Sequence, residues 1–365
     1  MKLLMTADAV GGVWTYALDL CAALAAHEVE VVLATMGPRP TDSQRTAANA
    51  LSNVRLVESD FRLEWMTEPR DDVVAAGEWL LDLAAADSAD VIHLNGYSHA
   101  ALPWERPVVC VAHSCVTTWW QAVHGSLPPA SWDEYRRRVL CGLNSADIII
   151  APTAAFLNQV SATYAVTRPT RVIRNGRART AFNGDVRREP LVLACGRPWD
   201  VSKNIRVLDE ASHDAPWSAC VIGNPAGPNG QSFIPSNLRA LGDQSAHEVH
   251  AWMRKARIFV HPAIYEPFGL VVLEASLAGC ALVLADIPTL RELWNGAAAF
   301  FEPRDSRELR ATLQTLLDDP NRQRELARAA RARADEYSIA AAAAEYFDTY
   351  QSLLCGRANR RRAVA

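Results

Sequence analysis

Lysine is scarce in this chain of 365 residues: only Lys2, Lys203 and Lys255 contribute to its 37 basic residues, and the rest are arginines. The formal net charge is −4, so the chain lacks the overall positive field that nucleic-acid-binding proteins present. Long apolar runs are also missing, and the N-terminal MKLLMTADAVGG is too short for a signal peptide or a membrane span. We therefore predict a cytoplasmic protein with no nucleic-acid partner and at most weak peripheral membrane contact.

Several ligand-binding motifs are absent as well. None of the eight cysteines forms a C-x-x-C pair, and several lie in apolar runs, which favours buried free thiols over disulfides or zinc sites. No Asp-x-Asp occurs, so a metal-chelating site has no obvious ligands. No G-x-G-x-x-G occurs, and the predicted second strand ends as LATMG without an acid for a ribose, which disfavours NAD. We expect no metal and no cofactor.

Short apolar runs alternate with amphipathic helical segments along almost the whole chain. KLLMTA is typical of a buried strand, and GVWTYALDLCAALAAH of a helix with apolar residues at helical spacing. This alternation predicts an α/β fold of parallel sheets covered by helices on both faces. The pattern loosens around residues 166–190 and then restarts. We therefore expect two doubly wound Rossmann-like domains facing each other across a cleft.

The expected domain boundaries follow from this pattern. The N-terminal domain covers 1–170 and is joined by a C-terminal helix, 338–354, whereas the second domain covers 171–337. The last residues, 355–365, are basic and have no apolar stripe, so we expect a flexible tail.

Two glutamates occur eight positions apart in HPAIYEPFGLVVLEASLAG, which covers residues 261–279. Glu266 lies in a loop that should follow a strand, and Pro267 disfavours helix at that position. The next helix should begin near Leu270, with N–H groups and a positive dipole end that suit a phosphate. Glu274 shares the face of the first helical turn and can accept two hydrogen bonds from a vicinal diol such as a ribose.

This segment resembles the E-x7-E motif of retaining nucleotide-sugar glycosyltransferases with the GT-B fold, particularly family four. The resemblance implies that Glu266 contacts the donor sugar and Glu274 the ribose. It also implies that backbone amides around Phe268, Gly269 and Leu270 line the sugar and diphosphate. The first domain would then bind the acceptor and the second the nucleotide sugar.

Other segments fit the same family. Arg197 and Lys203 lie in LVLACGRPWDVSKNIRVL, where two cations across one loop can neutralise a diphosphate as it departs. Gly11 and Gly12 resemble the family's glycine loop that faces the diphosphate and the acceptor. Gly223, in VIGN, resembles the glycine at the strand end beside the nucleotide base.

The N-terminal half supplies weaker candidates. His113 ends a strand, where it can donate to a sugar hydroxyl or stabilise positive charge, and the family has a sugar-contacting histidine at this place. Trp119 and Trp120 can stack on an acceptor sugar or pack in the interior. Asn95 and Tyr97 are further candidates for acceptor contact.

The predicted reaction is transfer of a sugar, with retention and without a metal, from a UDP- or GDP-type donor to a hydroxyl of a glycan, lipid-linked or natural-product acceptor. Glu266, His113, Arg197 and Lys203 are its predicted catalytic residues. A nucleotide-sugar epimerase on the same architecture and a non-catalytic two-lobed sugar-binding protein remain alternatives. A pyridoxal-phosphate phosphorylase would require a Schiff-base lysine, for which Lys203 is the plausible residue.

Overall fold

The computed structural model describes residues 1–182, 186–227 and 230–364, and the strands within these residues form two parallel sheets. The first sheet has the order β3-β2-β1-β4-β5-β6-β7 and the second β10-β9-β8-β11-β12-β13. The strands of the first sheet are β1 Lys2–Asp8, β2 Glu30–Met36, β3 Val54–Glu58, β4 Val91–Leu94, β5 Val108–Val111, β6 Ile148–Ala151 and β7 Thr170–Val172. Those of the second are β8 Glu189–Cys195, β9 Ser218–Ile222, β10 Arg239–Ala240, β11 Ala256–His261, β12 Ala281–Ala285 and β13 Ala299–Phe301.

Helices connect most successive strands, as the alternating sequence pattern predicted, although among the described residues none lies between β9 and β10. The α-helices are α1 Gly12–Leu24, α2 Asp42–Asn49, α3 Arg70–Ala86, α4 Val116–His124, α5 Asp133–Ser145, α6 Ala154–Tyr164, α7 Ile205–Ala211, α8 Ala246–Lys255, α9 Leu270–Leu277, α10 Pro288–Trp294, α11 Ser306–Asp318, α12 Pro320–Ala334 and α13 Ile339–Val364. In the described part of the chain, no helix combines the length and the apolar character needed to cross a membrane.

Both faces of the second sheet are buried, which explains why its strands are almost continuously apolar. Neighbouring residues of a strand point to opposite faces. Leu193 accordingly packs in a cluster that contains Trp294, whereas Val192 packs in another that contains Leu313. The two clusters cover the two faces, as expected for a parallel sheet between layers of helices.

The chain divides into two compact units. One consists of residues 1–118, 126–176 and 339–365, and the other of 119–125 and 177–338. The long crossing therefore falls after Gly176, and the chain returns to the first unit after Ser338. The short segment 119–125 belongs to the second unit although it follows a strand of the first, which the sequence pattern did not indicate.

The C-terminal helix is longer than the sequence led us to expect. We ended it at Leu354 and assigned 355–365 to a flexible tail, but α13 continues to Val364. Its last residues lack glycine and proline beyond Gly356, and alanine and arginine are good helix formers. Arg357 also anchors the extension, because its guanidinium donates to the Glu105 carbonyl and to Asp147. Missing amphipathicity was therefore a poor indicator of the helix end.

The cysteines in the described residues are free thiols, and most are buried as predicted. Cys141 and Cys355 are exceptions, because both are exposed.

Candidate active site

The order of the strands indicates where a ligand would bind in each unit. In the second sheet β8 lies between β9 and β11, so the connections from β8 and β11 leave in opposite directions. Open α/β sheets bind ligands beyond the carboxyl ends of the strands at such a switch point. Arg197 and Lys203 follow β8, and Glu266 follows β11, so the fold brings these sequence-predicted residues to one place.

Glu266 lies at the centre of this place. Its Oε2 atom accepts hydrogen bonds from Lys203 Nζ at 2.8 Å and from His261 Nε2 at 3.1 Å. The Glu266 side chain is 13% exposed and that of Lys203 22%. Its backbone is also held, because Thr289 Oγ1 donates to the Glu266 carbonyl at 2.6 Å. The Glu266 carboxylate is therefore fixed from the connection after β8 and from the end of β11, and its backbone from α10.

These contacts keep Glu266 ionised. Burial alone would raise its pKa, but the Lys203 charge and the His261 hydrogen bond outweigh burial and hold the pKa of Glu266 well below its ordinary 4.5. Lys203 has three N–H donors, and one of them binds Glu266. The other two can reach oxygens of a bound ligand, so the pair can present a positive donor and a negative acceptor side by side.

The loop that carries Lys203 is tied to the loop that carries Glu266. Asn204 adopts a left-handed conformation with φ of 53°, which asparagine tolerates better than most residues. Its amide donates to the carbonyls of Pro262 at 3.0 Å and Pro303 at 2.7 Å. The Ile264 N–H donates to the Ser202 carbonyl. These hydrogen bonds between the two loops fix the position of Lys203 relative to Glu266.

Arg197 is held in a different way. Its Nη2 atom lies 2.9 Å from Asp200 Oδ2, and its guanidinium stacks 5.2 Å from the centre of the Trp199 ring. The other Asp200 oxygen accepts from the N–H and the hydroxyl of Ser202. The Arg197 side chain nevertheless remains 45% exposed. The Arg197 guanidinium is therefore restrained but still accessible to an anionic ligand.

Glu274 forms an ion pair with Arg177, whose Nε atom lies 3.0 Å from Glu274 Oε1. The two side chains are 11% and 13% exposed. Because both charges are removed from water, loss of either partner would leave the other as an uncompensated buried charge. Arg177 comes from the crossing segment, so it positions a carboxylate that lies almost a hundred residues later.

The helix that carries Glu274 begins at Leu270, as predicted. Gly269 precedes it with φ of 83°, and among the described residues no side chain caps its first turn. Its first N–H groups are therefore suited to an anionic ligand. Phe268 is buried against Tyr337, so of this residue the backbone, and not the ring, is suited to a ligand.

Gly223 lies where the end of β9 meets the end of β8. A Cβ atom there would lie 2.1 Å from the Gly196 carbonyl oxygen, and φ is 146°. Only glycine fits this close approach of two backbones. Gly223 thus shapes the end of the sheet beside Arg197.

In the first unit, β1 lies between β2 and β4, so the same kind of switch point lies beyond β1 and β4. Gly11 and Gly12 follow β1 and are exposed at the start of α1. Asn95 follows β4, and its Oδ1 atom lies 2.8 Å from Nε2 of His113, which follows β5. The structure therefore brings Asn95 and His113 together, although the sequence suggested separate roles for them.

The other expected acceptor residues are less favourably placed. Tyr97 is buried, and its hydroxyl donates to the Ser114 carbonyl. Trp119 and Trp120 pack on each other and on His124, with ring centres 4.6 to 5.9 Å apart. These tryptophans belong to the second unit and Asn95 and Tyr97 to the first, so the four do not form one cluster within a unit.

Three residues of the site were not predicted from the sequence, namely His261, Asp200 and Arg177. His261 ends β11, where a polar residue is unusual in a buried strand, and this was the available signal. Arg177 lies in an arginine-rich segment, where no sequence feature distinguishes it from its neighbours. In the described residues, no cluster of three or more His, Cys, Asp or Glu side chains could hold a metal ion.

Comparison with protein families adds an independent observation. A model described as Glycosyltransferase Family 4 matches residues 10–178, and one described as Glycosyl transferases group 1 matches residues 205–333. Together the two models cover most of the chain, the first from just before α1 to just beyond β7 and the second from α7 into α12.

Known proteins agree with these matches. The chain is 27% identical to an alpha-maltose-1-phosphate synthase of Mycolicibacterium smegmatis over 73% of this chain and 80% of the relative. Its fold is similar to sucrose-phosphate synthase of Thermosynechococcus elongatus, with a TM-score of 0.80, 18% identity, and coverage of 98% of this chain and 100% of the other. It is also similar to Anabaena Alr3699/HepE in complex with UDP-glucose, with a TM-score of 0.73, 18% identity, and coverage of 97% and 100%. The predicted GT-B fold class is confirmed.

Proposed function

Because the chain belongs to glycosyltransferase family 4, we propose that it transfers a sugar from a nucleoside-diphosphate sugar to a hydroxyl acceptor, with retention of the anomeric configuration and without a metal ion. The observation that carries the proposal is the contact of Lys203 with Glu266 at the switch point of the second sheet.

The charges of this site suit a nucleotide sugar. Arg197, Lys203 and the first N–H groups of α9 supply positive potential for the two phosphates. Glu266, kept ionised by its neighbours, can accept hydrogen bonds from hydroxyls of the transferred sugar. Glu274 lies about one helical turn beyond the start of α9 at Leu270 and can accept from the ribose diol.

The same groups provide the catalytic contribution. Cleavage of the bond between the sugar and the diphosphate leaves additional negative charge on the departing phosphate. Cations that are already in place stabilise this charge more in the transition state than in the bound substrate, which lowers the barrier. This role requires no metal, and it makes Lys203 and Arg197 the residues whose loss should reduce kcat.

A uridine or guanosine nucleotide is the proposed carrier. The UDP-glucose complex of the Anabaena protein supports a UDP-sugar donor for this fold. Binding of UDP-, GDP- and ADP-sugars to the purified protein can be compared by thermal shift, because a ligand that binds the native state raises Tm.

The donor that stabilises the protein most is then incubated with a panel of sugar, lipid-linked and natural-product acceptors. Formation of a glycosylated product with the anomeric configuration of the donor, and undiminished by EDTA, is the expected result. An isomeric nucleotide sugar formed from donor alone would instead identify an epimerase. Tight donor binding without turnover across the panel would favour a sugar-binding protein.

A further inference from the structure

A chain of buried polar side chains crosses the first unit behind His113. Tyr350, on α13, contacts His93 at the end of β4, with 2.6 Å between Tyr350 Oη and His93 Nδ1. His93 Nε2 lies 3.1 Å from Asn95 Oδ1, and the same oxygen lies 2.8 Å from His113 Nε2. Tyr350 and His93 are fully buried.

The Asn95 amide sets the direction of the hydrogen bonds in this chain. Its Nδ2 atom donates to the Thr6 carbonyl at 2.7 Å, which fixes the amide with Oδ1 toward the two histidines. An amide oxygen can only accept hydrogen bonds. Both histidines must therefore carry a proton on Nε2, and the Tyr16 hydroxyl, 3.4 Å from His93 Nε2, can then only accept from that N–H.

Both rings are also neutral near neutral pH. Burial lowers the pKa of His93 to about 4, although the Asn95 hydrogen bond partly opposes this. Burial and the neighbouring His93 lower the pKa of His113 to about 3. A neutral ring with its proton on Nε2 has a bare Nδ1. His93 Nδ1 consequently accepts from the Tyr350 hydroxyl, and His113 Nδ1 is left as an acceptor.

We propose that Asn95, supported by His93 and Tyr350, is a positioning residue that fixes His113 in the Nε2–H tautomer, so that His113 Nδ1 accepts a hydrogen bond from a hydroxyl of the bound sugar. The ligand part of this proposal rests on the proposed function. It reverses the direction suggested by the sequence, in which His113 donated to the sugar. The proposal also gives Asn95 a positioning role in place of the predicted contact with the acceptor substrate. Both ends of the Asn95 amide already form hydrogen bonds within the first unit.

Nitrogen-15 NMR of the histidine side chains tests the tautomers without any substrate. The chain has nine histidines, so the signals of His93 and His113 are assigned by their loss in His93→Gln and His113→Gln. We expect both residues to carry the proton on Nε2 and to remain neutral from about pH 7 to pH 5. An Nδ1–H tautomer of His113, or its protonation in this range, would overturn the inference and leave the proposed function intact.

Steady-state kinetics tests the link to the reaction. In Tyr350→Phe the His93 Nδ1 resonance should shift as its donor is lost, and kcat should fall about three- to tenfold with little change in KM for the donor. Tyr346→Phe is the matched control, because Tyr346 lies on the same helix with its ring 5.3 Å from His93 but makes no bond to the His93 nitrogens. Asn95→Ala should mix the tautomers of His113 and reduce kcat by about tenfold or more.

An equal effect of the two tyrosine variants, or a mixed tautomer in Asn95→Ala without loss of kcat, would contradict a positioning role. If no variant or wild-type protein shows transfer with any donor, the proposed function fails, whereas the NMR result still decides the orientation of the network.

Discussion

Lys203 Nζ donates to Glu266 Oε2 at 2.8 Å across 63 positions of sequence. The contact joins the connection after β8 to the connection after β11, the two strands that flank the switch point of the second sheet. Both side chains are largely buried, so each charge depends on the other for compensation. A change at either residue should therefore affect both the chemistry and the stability of this unit.

Glu266→Gln tests this dependence. The substitution keeps the shape but removes the charge, which leaves the Lys203 ammonium without its buried counter-charge. We expect the unfolding free energy to fall by about 3 kcal/mol and transfer activity to fall by roughly 100-fold or more. Denaturant unfolding and initial-rate assays measure the two effects.

The matched control is Glu325→Gln, which removes a glutamate from an ion pair with Arg322 on the surface of α12. Exposed pairs contribute about 0 to 1 kcal/mol, so this variant should unfold and react like wild type. If Glu266→Gln retained activity within a factor of about three, the role assigned to the carboxylate would be wrong.

Stability should also depend on pH through the buried histidines of the first unit. The pKa of His93 is about 4 in the folded protein against an ordinary 6.5, so the unfolded chain binds the proton first. The stabilisation is fully present above about pH 6.5 and is lost as pH falls toward about 4. His93→Gln should reduce the slope of unfolding free energy against pH in this window by about one proton.

Urea titrations between about pH 4.5 and pH 7.5 measure this slope. His213→Gln is a suitable control, because His213 is largely exposed and lies outside the buried network. An unchanged slope in His93→Gln would mean that His93 titrates normally in the folded protein.

The sequence predicted the architecture and the main charged residues because each of these depends on local pattern. Alternating apolar runs indicate parallel strands, and the position of Glu266 between a strand and a helix places it at a carboxyl edge. The partners of these residues could not be predicted in the same way. Arg177 lies in an arginine-rich crossing where no pattern distinguishes it, and its contact with Glu274 exists only after the chain has folded.

The buried network behind His113 illustrates the same limit. The fold brings His93 and Asn95, at the end of β4, into contact with Tyr350, which lies on a helix more than 240 residues later. Sequence spacing could not predict this contact. A histidine in an apolar strand was the available signal, because a buried imidazole requires partners for its polar atoms. His113 by itself is compatible with donating or accepting, and only its buried neighbours favour one direction.

Gly223→Ala tests the close approach of the strand ends in the second sheet. The added methyl group would collide with the Gly196 carbonyl, and φ at this position is unfavourable for alanine. We expect a loss of roughly 2 kcal/mol or more in unfolding free energy, together with weaker donor binding. Gly11→Ala is the control for stability, because its backbone is extended and the site of its Cβ is open.

Differential scanning calorimetry of the two variants gives the comparison directly. Equal Tm values for Gly223→Ala and wild type would show that the strand ends can separate to admit the methyl group, and would remove the structural reason for glycine at this position.

Glu274 offers the sharpest test of how the donor is held. If its carboxylate binds the ribose diol, Glu274→Ala should raise KM for the nucleotide sugar about tenfold or more and change kcat much less, because the ribose takes no part in bond cleavage. The same loss of affinity should appear when the wild-type protein is given the 2′-deoxyribose form of the donor. The two losses of donor affinity should not add, since each change removes the same hydrogen bond.

Glu274→Ala also leaves Arg177 without its counter-charge, so Arg177→Met serves as the companion variant that breaks the ion pair and keeps the carboxylate. Arg177→Met should retain discrimination between ribose and 2′-deoxyribose, whereas Glu274→Ala should lose it. Full additivity of the substitution and the deoxy donor would instead assign Glu274 to the ion pair alone and leave the ribose to other groups.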